Sequence, residues 1–319
     1  MPTIDVSSLP KAGEPRMHYY LLRRKVGVPT LSLYLRTVWG ILGWFLLLPL
    51  VARLLGRLGA RRALHIVARW WARGVTRYLQ IRLDIKGLEH IDPQQAYIVA
   101  PLHEGFADVL TLLHLPLRLR FAARDELFGT RILGPLLRDT GQLFVAPERG
   151  AWSYRALHRA ARDVFACGES LVLFPQGTIL GIEADFRSGA FALARALRRP
   201  ILPIALTGGH RVWEHPYTPR LRYGQRISMW VFAPIPVEEI EATGVEPLRQ
   251  ATQRQLKAVA LGGAMAPPRR FVPARDGYWD GYAYRIDPEF PDLLADIARH
   301  RAQHSGHTAG EAPRNTTAA

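Results

Sequence analysis

Ala100-Pro101-Leu102-His103-Glu104-Gly105-Phe106-Ala107-Asp108 marks a change of pattern in the chain. Residues 97–102 are a short apolar run; a His leaves it, a Gly follows, and an Asp comes five positions after the His. A buried strand that ends in a glycine-containing turn and passes into a helix is the building unit of an α/β domain. The same alternation extends in both directions. Ile81, Leu83 and Ile85 alternate before Gly87, and Leu117, Leu119 and Phe121 alternate again. Residues 142–146, 171–174, 201–206 and 227–232 are further apolar runs, with helical stretches at 151–166, 188–198 and 246–260 between them. The expected fold is α/β, a largely parallel or mixed sheet flanked by helices, over residues 80–261.

Upstream the character differs. Residues 1–30 read as irregular, and no secretory signal is expected there. The cluster Arg23, Arg24, Lys25 runs into Val-Gly-Val-Pro rather than an apolar core. Residues 37–52 are uncharged and leucine-rich, with Trp39 and Trp44. That run falls short of the roughly 20 residues of a spanning helix, and Gly40, Gly43 and Pro49 interrupt it. An interfacial or re-entrant segment is therefore expected rather than a span. Residues 57–79 read as a basic amphipathic helix: Leu64, Val67, Trp71, Val75 and Tyr78 recur at three and four, and Arg61, His65, Arg69, Arg73 and Arg77 recur at four. Residues 31–79 are thus expected to be membrane-associated helices. Downstream, residues 262–301 form a C-terminal extension, irregular up to 290, and residues 302–319 are a small, polar tail expected to be disordered.

The 319 residues carry 42 Lys and Arg against 27 Asp and Glu, a formal net charge of +15. Such an excess suits nucleic acid, an anionic lipid surface or an acidic substrate. The N-terminal arginines are interleaved with tryptophan and leucine, and no nucleic-acid motif is present, so a membrane is the expected partner and nucleic acid is not. The expected location is the cytoplasmic face of the inner or cell membrane. Cys167 is the only cysteine, which excludes a disulfide or a cysteine-based zinc site within one chain.

The chemistry is sought at His103 and Asp108. On one helix they would stand about 140° apart, so they meet only if His103 lies in the turn and Asp108 in the first helical turn. Asp108 can then accept the Nδ1 proton of His103 and leave Nε2 free to take a proton from a hydroxyl. With a thioester as donor, that hydroxyl attacks directly, and neither a covalent acyl-enzyme nor a cofactor is needed. A second strand ends in Phe174-Pro175-Gln176-Gly177-Thr178. Loops at the carboxyl ends of strands form the ligand crevice of open α/β sheets, which makes this turn either part of the site or a simple strand stop.

Taken together these segments resemble the PlsC-type glycerolipid acyltransferase family, to which 1-acyl-sn-glycerol-3-phosphate acyltransferases belong. His103 to Asp108 is similar to its His-x4-Asp block, and Gly141-Gln142-Leu143-Phe144-Val145 to the start of its Gly-x-x-Phe-Ile-x-Arg block. Phe174 to Thr178 resembles its Phe-Pro-Glu-Gly-Thr block, Phe186-Arg187-Ser188-Gly189 the Phe-Lys-x-Gly link, and Pro200 to Ile204 the Pro-rich strand block. The resemblance covers about residues 80–235. It implies His103 as general base and Asp108 as its orienter, an acyl-coenzyme A or acyl carrier protein donor, and a lipid acceptor, most simply a lysophospholipid. Gly141, Gln176, Gly177 and Thr178 would shape the acceptor site.

The departures bear on the acceptor. Pro147 stands where the family has a phosphate-binding Arg, Gln176 where it has Glu, and Ile179 where an Arg follows the Thr. A charge-assisted contact contributes about 1.5–3 kcal/mol, so phosphate recognition would need replacement cations. Arg149 and Arg187 are the candidates, since Arg binds phosphate bidentately. Otherwise the acceptor lacks a phosphate, as a glycolipid or a glycosylated carotenoid does. Other classes fit less well. There is no Gly-x-Ser-x-Gly elbow and no His-Glu-x-x-His, so His103, Glu104 and Asp108 are not expected to hold a metal. A non-enzymatic basic membrane adaptor would share the composition but has no use for a His–Asp pair at a crevice.

Overall fold

The computed structural model describes residues 17–21, 24–28, 31–131, 133–146, 150–213, 221–276 and 285–304. The strands are β1 (Met17–Leu21), β2 (Arg24–Val28), β3 (Arg82–Lys86), β4 (Ile98–Pro101), β5 (Leu119–Arg124), β6 (Leu143–Val145), β7 (Ser170–Val172), β8 (Ile201–Thr207) and β9 (Arg226–Val231). The helices are α1 (Leu31–Leu42), α2 (Leu48–Arg57), α3 (Arg61–Tyr78), α4 (Phe106–Leu112), α5 (Asp125–Phe128), α6 (Leu133–Asp139), α7 (Gly150–Ala166), α8 (Gly189–Leu197), α9 (Val237–Thr243), α10 (Val245–Leu261), α11 (Pro273–Asp276) and α12 (Pro291–His304).

β3 to β9 form one mixed sheet in the order β3-β9-β8-β4-β7-β5-β6. β8, β4, β7, β5 and β6 run parallel, β9 is antiparallel to β8, and β3 is parallel to β9. Each of the seven apolar runs expected to be a strand contributes one, with ends shifted by a few residues. β4, β7 and β8 are buried along their whole length, which is why they read as continuous apolar runs: helices cover both faces of a parallel sheet. Ile98 and Ala100 pack toward Leu157, Phe191 and Leu256 of α7, α8 and α10. Tyr97 and Val99, pointing the other way as strand neighbours must, pack toward Val75 and Leu110 of α3 and α4. The parallel strands bring their carboxyl ends to a common edge. The turns after β4, β7 and β8 therefore lie side by side, in the order β8, β4, β7.

Two segments differ from expectation, residues 1–30 and the start of the basic helix. Within residues 1–30, read as irregular, β1 and β2 pair antiparallel from Met17↔Val28 to Leu21↔Arg24; Tyr19, Tyr20, Val26 and Val28 favour strand, and the interleaved charges hide that pattern. Residues 31–57 are helical throughout, with a π-turn at Gly43–Leu47 before Pro49. Pro49 has no N–H and crowds the carbonyl four residues back, and a widened turn there absorbs the conflict. The basic helix begins at Arg61, not at 57, because the chain turns through Gly59 at φ +67°. No helix among the described residues is long and apolar enough to cross a membrane.

The N-terminal helices are tied to the sheet through ion pairs. Arg53 Nε donates to Asp139 Oδ2 at 2.7 Å, joining α2 to α6. Glu169, 1% exposed, accepts from His65 Nε2 of α3 at 2.6 Å and from Arg120 Nε of β5 at 2.7 Å. Burial pushes the Glu169 carboxyl up, but the His65 and Arg120 contacts outweigh it and leave it below the ordinary 4.5. The C-terminal extension is anchored as well. Asp287 Oδ2 accepts from Lys257 Nζ at 2.7 Å and from Gln253 Nε2 at 2.8 Å, and Ile286 forms a bridge with Ala184. The extension is only partly irregular: α11 and α12 lie within it, and α12 reaches His304, past the expected boundary at 301. Residues 305–319 of the expected tail lie outside the described residues.

Candidate active site

Leu102 ends the buried course of β4, and the chain turns sharply at Gly105 into α4. Asp108 sits in the first turn of that helix, where it accepts from the turn it follows. Its Oδ2 receives the N–H groups of Glu104 at 2.6 Å and Gly105 at 2.9 Å, and Nδ1 of His103 at 2.8 Å. The helix N-terminus and the imidazole thus share one carboxylate oxygen. Because a carboxylate oxygen only accepts, Nδ1 carries a proton, and in the neutral ring the lone pair is then on Nε2. Asp108 is fully buried, and the His103 side chain is 20% exposed. The other oxygen, Oδ1, is buried without a hydrogen-bond partner among the described residues. It faces Gly209, where a Cβ would stand 2.0 Å away.

The turn after β7 closes on His103 from the other side. Gln176, 2% exposed, accepts the His103 N–H through Oε1 at 2.7 Å and donates Nε2 to the Gly181 carbonyl at 2.9 Å. Phe174 stacks on the imidazole, ring centroids 3.7 Å apart and planes inclined by 18°. Gly177 has φ +64°, and a Cβ there would lie 2.8 Å from Nε of Arg187, so the arginine lies against the glycine. Thr178 Oγ1 accepts the Leu180 N–H at 3.2 Å within the same turn.

On this geometry the expected residues separate. His103, Asp108, Gln176, Gly177, Thr178 and Arg187 gather at the carboxyl edge of the sheet. Gln176 and Thr178 are turned inward, however, and brace the turn rather than line an open crevice. Gly141, expected in the acceptor site, is not there: it precedes β6 and so lies at the opposite, amino edge, against the guanidinium groups of Arg120 and Arg61. Loops that lead into parallel strands stand away from the crevice that loops leaving them form. Pro147 and Arg149 lie outside the described residues. His210 and Gly209 were not singled out by sequence, since they share no local pattern with His103 and meet its turn only through the neighbouring strand β8; Glu104, beside His103, was weighed only as a metal ligand.

A family model described as Acyltransferase matches residues 82–207. Among similar proteins, a 1-acyl-sn-glycerol-3-phosphate acyltransferase of Chlamydomonas reinhardtii is 28% identical over 212 residues, 65% of this chain and 63% of that protein. One of Bacillus subtilis is 26% identical over 184 residues, 54% of this chain and 90% of that protein. Over residues 82–207 the chain is similar to the acyltransferases of this type. The fold is similar to that of the 1-acyl-sn-glycerophosphate acyltransferase PlsC from Thermotoga maritima, with a TM-score of 0.58 at 18% identity, covering 74% of this chain and 95% of that one. The match spans less than two thirds of the algal relative's own length, and the same holds for the human alpha enzyme at 64%.

Proposed function

We propose that the protein is an O-acyltransferase. It moves a fatty acyl group from a thioester donor, acyl-coenzyme A or an acyl carrier protein, to a lipid hydroxyl, with a 1-acyl-glycerol-3-phosphate type lysophospholipid as acceptor. The observation that carries this reading is the 2.8 Å bond from His103 Nδ1 to buried Asp108 Oδ2 at a strand end, in a chain similar to PlsC-type acyltransferases. The acceptor hydroxyl gives its proton to Nε2 of His103, and its oxygen attacks the thioester carbonyl. The tetrahedral intermediate then collapses, the C–S bond breaks, and the departing sulfur takes the proton back from the imidazolium. Asp108 holds the tautomer and the ring orientation throughout.

The acceptor comes from the relatives, which are named for it, and is supported by Arg187 beside Gly177, a cation at the turn where the family's own arginine is replaced by Ile179. The second reading, an acceptor without phosphate such as a glycolipid or glycosylated carotenoid, is favoured by Pro147 and Ile179 themselves. Membrane association at an anionic lipid surface is supported by the exposed Leu31, Trp39, Leu47, Leu54 and Trp70 of the N-terminal helices.

Acyl transfer by the purified protein to lysophosphatidic acid and to a neutral lipid alcohol tests both readings. The expected result is acylation of lysophosphatidic acid, reduced roughly 10²–10⁴-fold in His103→Ala and shifted toward the neutral alcohol in Arg187→Gln. A folded His103→Ala protein with wild-type turnover would overturn the enzyme reading, and a wild-type preference for the neutral alcohol would replace the acceptor.

A further inference from the structure

The catalytic turn carries a second buried carboxylate that the reaction does not use. Glu104, adjacent to His103, is 4% exposed. Its Oε2 accepts the Gly208 N–H at 2.7 Å and faces Nδ1 of His210 at 2.9 Å, while Oε1 accepts the Arg269 N–H at 2.8 Å. These donors belong to two distant segments, the turn after β8 and the C-terminal extension. The Glu104 N–H itself goes to Asp108 Oδ2. One residue therefore joins both segments to the carboxylate that orients His103. Buried charge is tolerated where donors satisfy it, and here each oxygen has at least one.

We propose that Glu104 is a positioning residue that clamps the 103–105 turn to Gly208, His210 and Arg269, and that the C-terminal extension is through it part of the frame of the catalytic pair. For its kinetic consequence the inference rests on the acyl-transfer reading above. Proton transfer is sensitive to placement, and a displacement of about 1 Å costs on the order of 10²-fold in rate. Arg269 reinforces the clamp from behind: its guanidinium donates to the Ile179 carbonyl at 2.7 Å and pairs with Asp276 at 3.2 Å. The extension thus touches the turn that carries His103 and the turn after β7.

Glu104→Gln keeps the volume but turns an amide NH2 toward one of the backbone donors. The experiment compares wild type, Glu104→Gln and Glu104→Asp by kcat and KM per folded molecule and by amide hydrogen exchange. In Glu104→Gln, kcat is expected to fall about 10- to 100-fold with both KM values nearly unchanged, and Glu104→Asp, which keeps the charge, should recover part of it. Exchange should quicken at the amides of Glu104, Gly105, Gly208 and Arg269 and stay unchanged in α7. Wild-type kcat in Glu104→Gln, unchanged exchange at Glu104 and Gly105, or a uniform rise in exchange would each overturn the proposal. Should the wild-type protein transfer no acyl group, the enzyme reading fails alone, and the exchange pattern still decides whether the clamp exists.

Discussion

Gly209 stands so close to Asp108 that nothing larger fits. A methyl group there would lie 2.0 Å from Oδ1 and 3.1 Å from Cγ of a carboxylate with no room to retreat, since Asp108 is fully buried and its Oδ2 is engaged three times. Gly209→Ala is therefore expected to rotate or push that carboxylate and break the alignment of His103. The loss should be about 10²-fold or more in kcat, with a destabilisation of about 1–3 kcal/mol from overpacking. Turnover and thermal unfolding of the variant check this; an active protein of unchanged stability would show that the turn after β8 yields easily. The His103–Asp108 pair was legible in the sequence because its two members lie five residues apart, within reach of local turn geometry. Gly209 was not, because its demand for a missing side chain comes from a residue about a hundred positions earlier, in the helix that follows a neighbouring strand.

The N-terminal helices show the same division at the level of the element. Apolar and basic periodicities at three and four residues give a helix where α3 lies from Arg61 onward, but part of its basic stripe turns into the protein, where Arg61, His65 and Arg69 meet Thr140, Glu169 and Leu117. How α1 and α2 sit could not be read that way. Arg53 turns to Asp139, Trp71 Nε1 donates to the Trp44 carbonyl at 2.5 Å, and Trp71 also meets Phe106 edge-on at 6.3 Å, which links this layer to the helix that carries Asp108. A cavity of about 470 Å³ opens between Trp44, Trp70 and Tyr78, with Arg73 and Arg77 on its lining. Trp39 is 70% exposed and Leu54 58%. Burying one such side chain contributes about 1.5–3 kcal/mol, so replacing both by Glu should weaken binding to lipid vesicles at least about tenfold while leaving the fold intact. Co-sedimentation with vesicles measures it, and unchanged partitioning would remove these helices from the membrane contact.

Across the whole molecule, Glu169 joins the basic helix α3 to strand β5 of the sheet. Breaking one partner of a buried ion pair costs about 3–5 kcal/mol, so Glu169→Gln should lower the urea midpoint at neutral pH. The pH dependence has a definite sign. The carboxyl is held below its ordinary 4.5 in the folded protein because the His65 and Arg120 contacts outweigh burial, which acts the other way. Its contribution is therefore complete above about 4.5 and is lost as the pH falls through the lower folded value. The stability gap between wild type and Glu169→Gln should shrink on acidification below 4.5; a gap that stays constant with pH would show that the pairing does not govern this junction. The sequence by itself determined the seven strands and the helices at 150–166, 189–197 and 245–261, because alternation and apolar runs are local consequences of burial on a sheet. It also held the His103–Asp108 pair, proposed as catalytic, and the acyltransferase resemblance. Only the tertiary structure decided that Gly141 belongs to the opposite edge, that Gln176 braces the turn from within, and that Glu104 ties the C-terminal extension to His103. Those facts depend on which strand lies beside which, and strand order is settled by packing among residues far apart in the chain.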